Sequence, residues 1–186
     1  MSVLAGMSRE GQGLNLARVS KGGRLATIEY AHMAVHEDGF VTATEYVADL
    51  DIIGPRTYYI KPLAGFALHS VFLIKSSSAV RVQIYEDPTV TGDGTRLAHM
   101  RNNRNSAIAD NARDTTYHTP TANPDGDLIY DSYSGGASGL LIRAGGESRQ
   151  GEEIILNPAK GYLVRVTATV DNTILSMSHE YYEVPA

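Results

Sequence analysis

The chain has no cysteine, which removes disulfides, thiolate metal sites, redox pairs and cysteine nucleophiles at once. It has no run near the roughly 20 apolar residues that a membrane-spanning helix needs. Its opening residues, "MSVLAGMSREGQG", lack the basic and then apolar pattern of a secretory signal, so synthesis inside the cell without a membrane anchor is expected. Lysine is scarce, with four against twelve arginines. A positive balance is missing too. The net charge of -5 and the pI of about 5.6 argue against general nucleic-acid binding, which leaves a basic domain or stripe. The arginine fork, less hydrated than an ammonium, suits protein contacts, although composition bias alone would give the same excess.

What is present fits one domain. A chain of 186 residues buries about 70% of its unfolded surface and needs no staple to fold. Residues 1–23 are rich in glycine and serine without apolar periodicity. They are expected to be an extended arm, flexible or ordered by a partner, with no fixed fold of its own. Residues 24–186 then form a single domain. "RLATIEYAHMAVHE" could make a short helix ended by "DGF", whereas "FVTATEYV" and "RTYYIKP" read as strands. "FALHSVFLIK" and "AVRVQIYE" are β-type runs separated by "SSS". In the second, Val80, Val82 and Ile84 alternate with Arg81, Gln83 and Tyr85, giving one buried and one wet face.

"DPTVTGDGT" reads as a loop and "GDLIYDSY" as a strand, with glycine loops around "LLIR". Towards the C-terminus, Tyr162, Val164, Val166, Ala168 and Val170 alternate with Leu163, Arg165, Thr167 and Thr169. Asp171 and Asn172 offer a tight turn before a second run at 173–184, which predicts a β-hairpin. Many short strands with turn punctuation predict an all-β fold, an antiparallel β-sandwich or jelly roll.

Signatures of chemistry are thin. His32 and His36 have a zinc-compatible spacing, but Met33 stands where a metalloprotease needs glutamate. Asp93, Asp125 and Asp127 lie in Asp-Gly turns that do not follow the calcium-loop pattern. No G-K-[ST] and no G-x-S-x-G occurs. A serine–histidine–acid set is defined by geometry and not by chain order, so the fold must answer that question. No catalytic residue, metal or cofactor is expected.

The stretch 94–127 is the most polar part of the chain. It holds Arg96, Arg101, Arg104 and Arg113, His99 and His118, five asparagines and six aliphatic hydroxyls. A nucleic-acid groove interleaves basic groups with aromatics, and Tyr117 alone is near. The asparagines, threonines and serines suit loop hydrogen bonds. Residues 96–121 are therefore expected to be a polar contact surface. With Arg9 and Arg18, these four arginines are the expected contact residues for a partner or another subunit.

From residue 66 onward a set of spaced residues forms a pattern. Glu86 ends a β-run, then come Gly94, Thr95 and Leu97, followed by "NNRNS" at 102–106. Tyr117, Pro120, Thr121, Asp125 and Gly126 continue the pattern. Glu153, Ile155, Leu156 and Pro158 follow, then Tyr162, Leu163 and Arg165, and finally Tyr182 and Glu183. In this pattern the chain resembles small virion proteins of tailed bacteriophages, whose own pattern has tryptophan near the second glutamate segment and near the terminal one. This chain has none, with Ile154 and Tyr181 or Tyr182 in those places. The resemblance spans about two-thirds of the chain.

It implies a virion structural protein that decorates or cements the capsid, binds the major capsid protein, and forms a homotrimer of jelly rolls. Such a protein is made in the host cytoplasm and located on the virion surface, and it is not an enzyme. Other readings are a tail-fibre or head–tail accessory protein and a carbohydrate-binding jelly roll, the last because eleven tyrosines are available. The resemblance also implies that Arg104, the arginine of "NR-S", points inward while Arg101 faces a neighbour.

Overall fold

The computed structural model describes residues 3–7, 14–19, 25–26, 40–102, 104, 116–134 and 153–185, with only the backbone described at 3–7, 14–19, 25–26, 40, 134 and 185. Among these residues the regular structure is all β, and every strand pairing is antiparallel. Strands β1 (Val3–Met7), β2 (Leu14–Val19) and β3 (Leu25–Ala26) form a small sheet. Part of the segment expected to be an arm is thus paired backbone, with Val3 opposite Arg18 and Arg18 opposite Ala26. The expected boundary after residue 23 falls inside this sheet. The remainder of the helix expected over 24–37 lies outside the described residues.

The other strands are β4 (Phe40–Leu50), β5 (Arg56–Ile60), β6 (Phe66–Ser76), β7 (Val80–Glu86), β8 (Val90–Gly92), β9 (Thr95–Arg96) and β10 (His99–Arg101). After them come β11 (Thr116–His118), β12 (Thr121–Ala122), β13 (Asp127–Ser134), β14 (Ile154–Leu156), β15 (Tyr162–Ala168) and β16 (Thr173–Pro185). One sheet has the order β10-β4-β16-β6-β14, and a second has β13-β7-β15-β5-β11-β9. Strands β8 and β12 make a short ribbon within what the sequence suggested was loop.

One hydrophobic core joins the two larger sheets. It takes Val41, Ala43, Leu68, Phe72, Ile74, Leu175 and Met177 from the first sheet. From the second come Tyr58, Ile60, Val80, Val82, Ile84, Tyr162, Val164 and Val166. The alternation expected in β7 and β15 supplies these inward side chains. Arg56 and Glu45 tie the sheets together, the arginine Nε donating to Glu45 Oε2 at 2.8 Å and Nη2 to Oε1. Arg56 Nη2 also donates to His118 Nδ1 at 2.7 Å. A guanidinium has no acceptor, so that ring nitrogen must be the unprotonated one.

The predicted C-terminal hairpin is not formed. Strand β15 pairs with β5 and β7, whereas β16 pairs with β4 and β6. Each strand has one apolar face, and the two faces are buried against each other across the core instead of side by side. The turn is therefore an arch that passes from one sheet to the other. Residues 51–55 and 77–79 make the same passage, from β4 to β5 and from β6 to β7.

Candidate functional site

The three arches meet at one end of the molecule and are locked by hydrogen bonds. Ile52 N donates to Asp171 Oδ1 at 2.9 Å, and Asn172 N donates to Asp51 Oδ1 at 3.3 Å. Ser77 N donates to Ile174 O at 2.9 Å, Ile174 N to Ser77 Oγ at 2.9 Å, and Thr169 N to Ala79 O at 3.1 Å. Asn172 has a φ of 58°, a left-handed conformation that asparagine tolerates. These bonds hold an apolar tip in water. Ile53 is 94% exposed, and Ile52, Val170 and Ile174 are each more than 40% exposed. A shallow depression beside the tip is lined by Asp49, Asp51, Ile52, Ile53, Asp171 and Asn172, none of them cationic.

A second surface lies on the outer face of the six-stranded sheet. Register places Arg96, Tyr117, Tyr59, Leu163, Tyr85 and Leu128 in one row across six strands. Tyr59 and Leu163 are buried yet stand outside the central core. Arg165 caps the row from the next position, 5.2 Å from the Tyr85 ring and 2.6 Å from Asp125 Oδ1. Arg81 grips Asp131 with two hydrogen bonds and lies 5.7 Å from the Tyr133 ring. At the end remote from the arches, Tyr59 and Tyr117 form the floor of a depression with the loops 61–64 and 158–161 as its walls.

Among the described residues, one buried polar group joins a histidine to a serine. His179 Nε2 lies 3.0 Å from Ser70 Oγ, and its Nδ1 lies 2.8 Å from Thr116 Oγ1. All three residues are fully buried. The orienting partner is a threonine and not an acid, and no substrate reaches a serine at 0% exposure. Burial lowers the His179 pKa to about 3 and, with help from Arg96, that of His99 to about 4. Both are neutral imidazoles in the core. On the outer face of the five-stranded sheet, His69, Glu153 and Tyr182 interlock. Tyr182 Oη donates to Glu153 Oε1 at 2.7 Å, His69 Nδ1 contacts the same oxygen, and the His69 and Tyr182 rings stack.

The expected contact residues scatter. Arg9 and Arg113 lie outside the described residues, as do His32 and His36. Arg18 is in β2, and Arg96 begins the tyrosine row. The expected roles of Arg101 and Arg104 are reversed. Arg101 is 3% exposed on the inner side of β10, whereas Arg104 sits exposed in a turn. Arg101 pairs in register with Val41, a core residue, so β alternation sends its side chain inward. Much of the polar stretch, residues 103 and 105–115, lies outside the described residues.

Asp93 binds Lys61 and Asp125 binds Arg165. No cluster of three metal-ligating side chains occurs among the described residues. Sequence reading missed the arch tip and the Tyr59–Tyr117 depression. The one signal for the tip was an isoleucine pair followed by glycine and proline, "IIGP", which marks an exposed turn. No family model, curated protein or solved structure matches the chain.

Proposed function

We propose that the protein is a virion structural protein of a tailed phage, a jelly-roll decoration protein that binds the major capsid protein on the shell surface and catalyses no reaction. The jelly-roll reading is supported by the path of the chain. Strands β4, β5, β6 and β7 alternate between the sheets, as do β14, β15 and β16, with β13 on the second sheet beside β7. This yields the two interleaved four-stranded sets of that fold, β4-β16-β6-β14 and β5-β15-β7-β13.

The residues that carry the family resemblance do scaffold work. Glu86 accepts from Lys160 at 2.5 Å and from Tyr162 Oη at 3.0 Å. Arg165 holds Asp125, and Glu153 holds Tyr182. Gly94 and Gly126 each have a φ of 94° and pass so close to neighbouring backbone that a Cβ would sit 2.3 Å from His118 O and 2.2 Å from Glu86 O, respectively. A shared motif made of loop pins and turn glycines fits a shared scaffold without a shared reaction.

The single observation that carries the binding role is the arch tip. Isoleucines held in water by a lattice of hydrogen bonds are pre-organised to fill an apolar pocket. The carboxylates beside them suit a partner rimmed with lysine or arginine. Assembly as a homotrimer belongs to this reading, as does a location on the virion after synthesis in the host cytoplasm. The test is co-sedimentation of the purified protein with shells assembled from the major capsid protein of the same genome. Saturable binding supports the reading. Binding to purified tails and not to shells would support a tail-accessory protein in its place.

A further inference from the structure

We infer that the depression floored by Tyr59 and Tyr117 is a binding site for a neutral saccharide. This does not depend on the virion reading, since the site lies at the end of the molecule remote from the arch tip.

The site is built and shaped. The edge of the Tyr59 ring lies against Gly161, where a Cβ would sit 2.6 Å from its Oη and 2.7 Å from its Cε2. Glycine at 161 therefore makes room for the ring beside the 158–161 loop. Tyr117 stands next to it in register, with ring centroids 6.3 Å apart and planes tilted by 32°. Pro62, Leu63, Ala64, Pro158 and Ala159 make the apolar walls. Leu63 is 45% exposed, an apolar side chain left in water at the edge of the depression. The depression encloses about 470 Å³, within the usual range for small-ligand sites.

The polar groups select the ligand class. Lys61 pairs with Asp93 at 3.2 Å, and Lys160 pairs with Glu86 at 2.5 Å. Both lysines line the depression, and each has its charge offset by a carboxylate that is not part of the lining, so the site offers donors without a net positive charge. An anion gains nothing there over its hydration. A polyol can use both donor and acceptor at each hydroxyl, while the C–H face of its ring packs on tyrosine. Burial raises the Tyr59 pKa, which keeps that hydroxyl a neutral donor. A nucleic-acid strand would need a basic groove around the aromatic platform, and here each lysine is already neutralised.

The experiment is a titration of ¹⁵N-labelled full-length protein, followed by amide shifts, with glucose, galactose, mannose, N-acetylglucosamine and their common disaccharides. Glucuronate and sialic acid serve as charged comparisons. We expect saturable shifts confined to residues near 59–64, 117 and 158–161, with a Kd on the order of 1 mM for at least one neutral sugar. Tyr117→Ala should weaken binding about tenfold or more, and Lys61→Met should weaken it while leaving the melting temperature unchanged. Lys61 is mostly exposed, so loss of binding in that variant cannot be assigned to unfolding. The inference is overturned if no neutral sugar gives saturable shifts there, if acidic sugars bind more tightly than neutral ones, or if both variants bind as the parent does. Saturable shifts at these residues from a proline-rich peptide or an oligonucleotide, with none from sugars, would overturn it equally.

Discussion

Asp51 and Asp171 stand in different arches, and each accepts a backbone N–H from the arch of the other. Asn172 N donates to Asp51 at 3.3 Å and Ile52 N donates to Asp171 at 2.9 Å. Neither carboxylate is spent on a cation in these contacts. They fix the path of the 51–55 arch and so the position of Ile53, and they leave negative charge around an apolar tip. A loop without such bonds would lose its order entropy again on binding.

The Asp171 bond can be separated from its charge. Asp171→Asn keeps an oxygen acceptor for Ile52 N, whereas Asp171→Ala does not. Asp171→Ala should lower stability by about 1 kcal/mol in urea unfolding, and Asp171→Asn by less. Both should weaken attachment to a basic partner, because both remove the charge.

Arg101→Ala should be costly and Arg104→Ala nearly silent. Arg101 is buried at 3% exposure and Arg104 is exposed. Emptying a buried charged site costs about 3–5 kcal/mol, and removing an exposed arginine costs roughly 0–1 kcal/mol. Chemical denaturation of the two variants measures the difference. Equal midpoints would contradict the placement of Arg101.

Acid should destabilise the fold through its core histidines. The pKa of His99 is lowered to about 4 and that of His179 to about 3, against about 6.5 in the unfolded chain. Below pH about 6.5 the unfolded state takes up protons that the folded state refuses, so stability falls with pH until the folded values are reached. His99→Phe keeps an aromatic ring beside Tyr181 and removes a titrating group, so it should fold and should flatten this decline. Urea midpoints measured between about pH 7 and about pH 4 would show it. A parent whose midpoint does not move would contradict the buried, neutral assignment.

Gly94→Ala should destabilise by more than about 2 kcal/mol. The new Cβ meets the backbone of residues 118–120 at a φ of 94°, and neither strain nor clash is relieved by side-chain movement. A melting temperature unchanged from the parent would contradict that local geometry.

How much of this was legible in the sequence depended on whether the signal was local. Period-two alternation marked β7 and β15, because a half-buried strand must show it, and their inward residues are core. The same signal could not say that β15 and β16 belong to different sheets, since an arch and a hairpin share turn residues such as Asp171 and Asn172. The N-terminal pairing was obscured by glycine and serine, and "LNLARV" in β2 breaks period-two alternation at Ala17. Arg101 and Arg104 were assigned from a motif, whereas burial follows the register of β10 against β4, a long-range fact. The Tyr59–Tyr117 depression joins loops about 100 residues apart in the chain, and no local window contains it.

The central claim is that the arch tip attaches this protein to a capsid, and Ile53→Asp tests it most directly. Ile53 is 94% exposed, so the substitution should leave stability within about 0.5 kcal/mol. Parent and variant are each mixed with shells of the major capsid protein from the same genome and sedimented across a concentration series. The account predicts saturable co-sedimentation of the parent, and a variant weakened by about 2 kcal/mol or more, as for an anchor residue in an interface, with an unchanged melt. A parent that stays in the supernatant, or a variant that binds as the parent does, would contradict it.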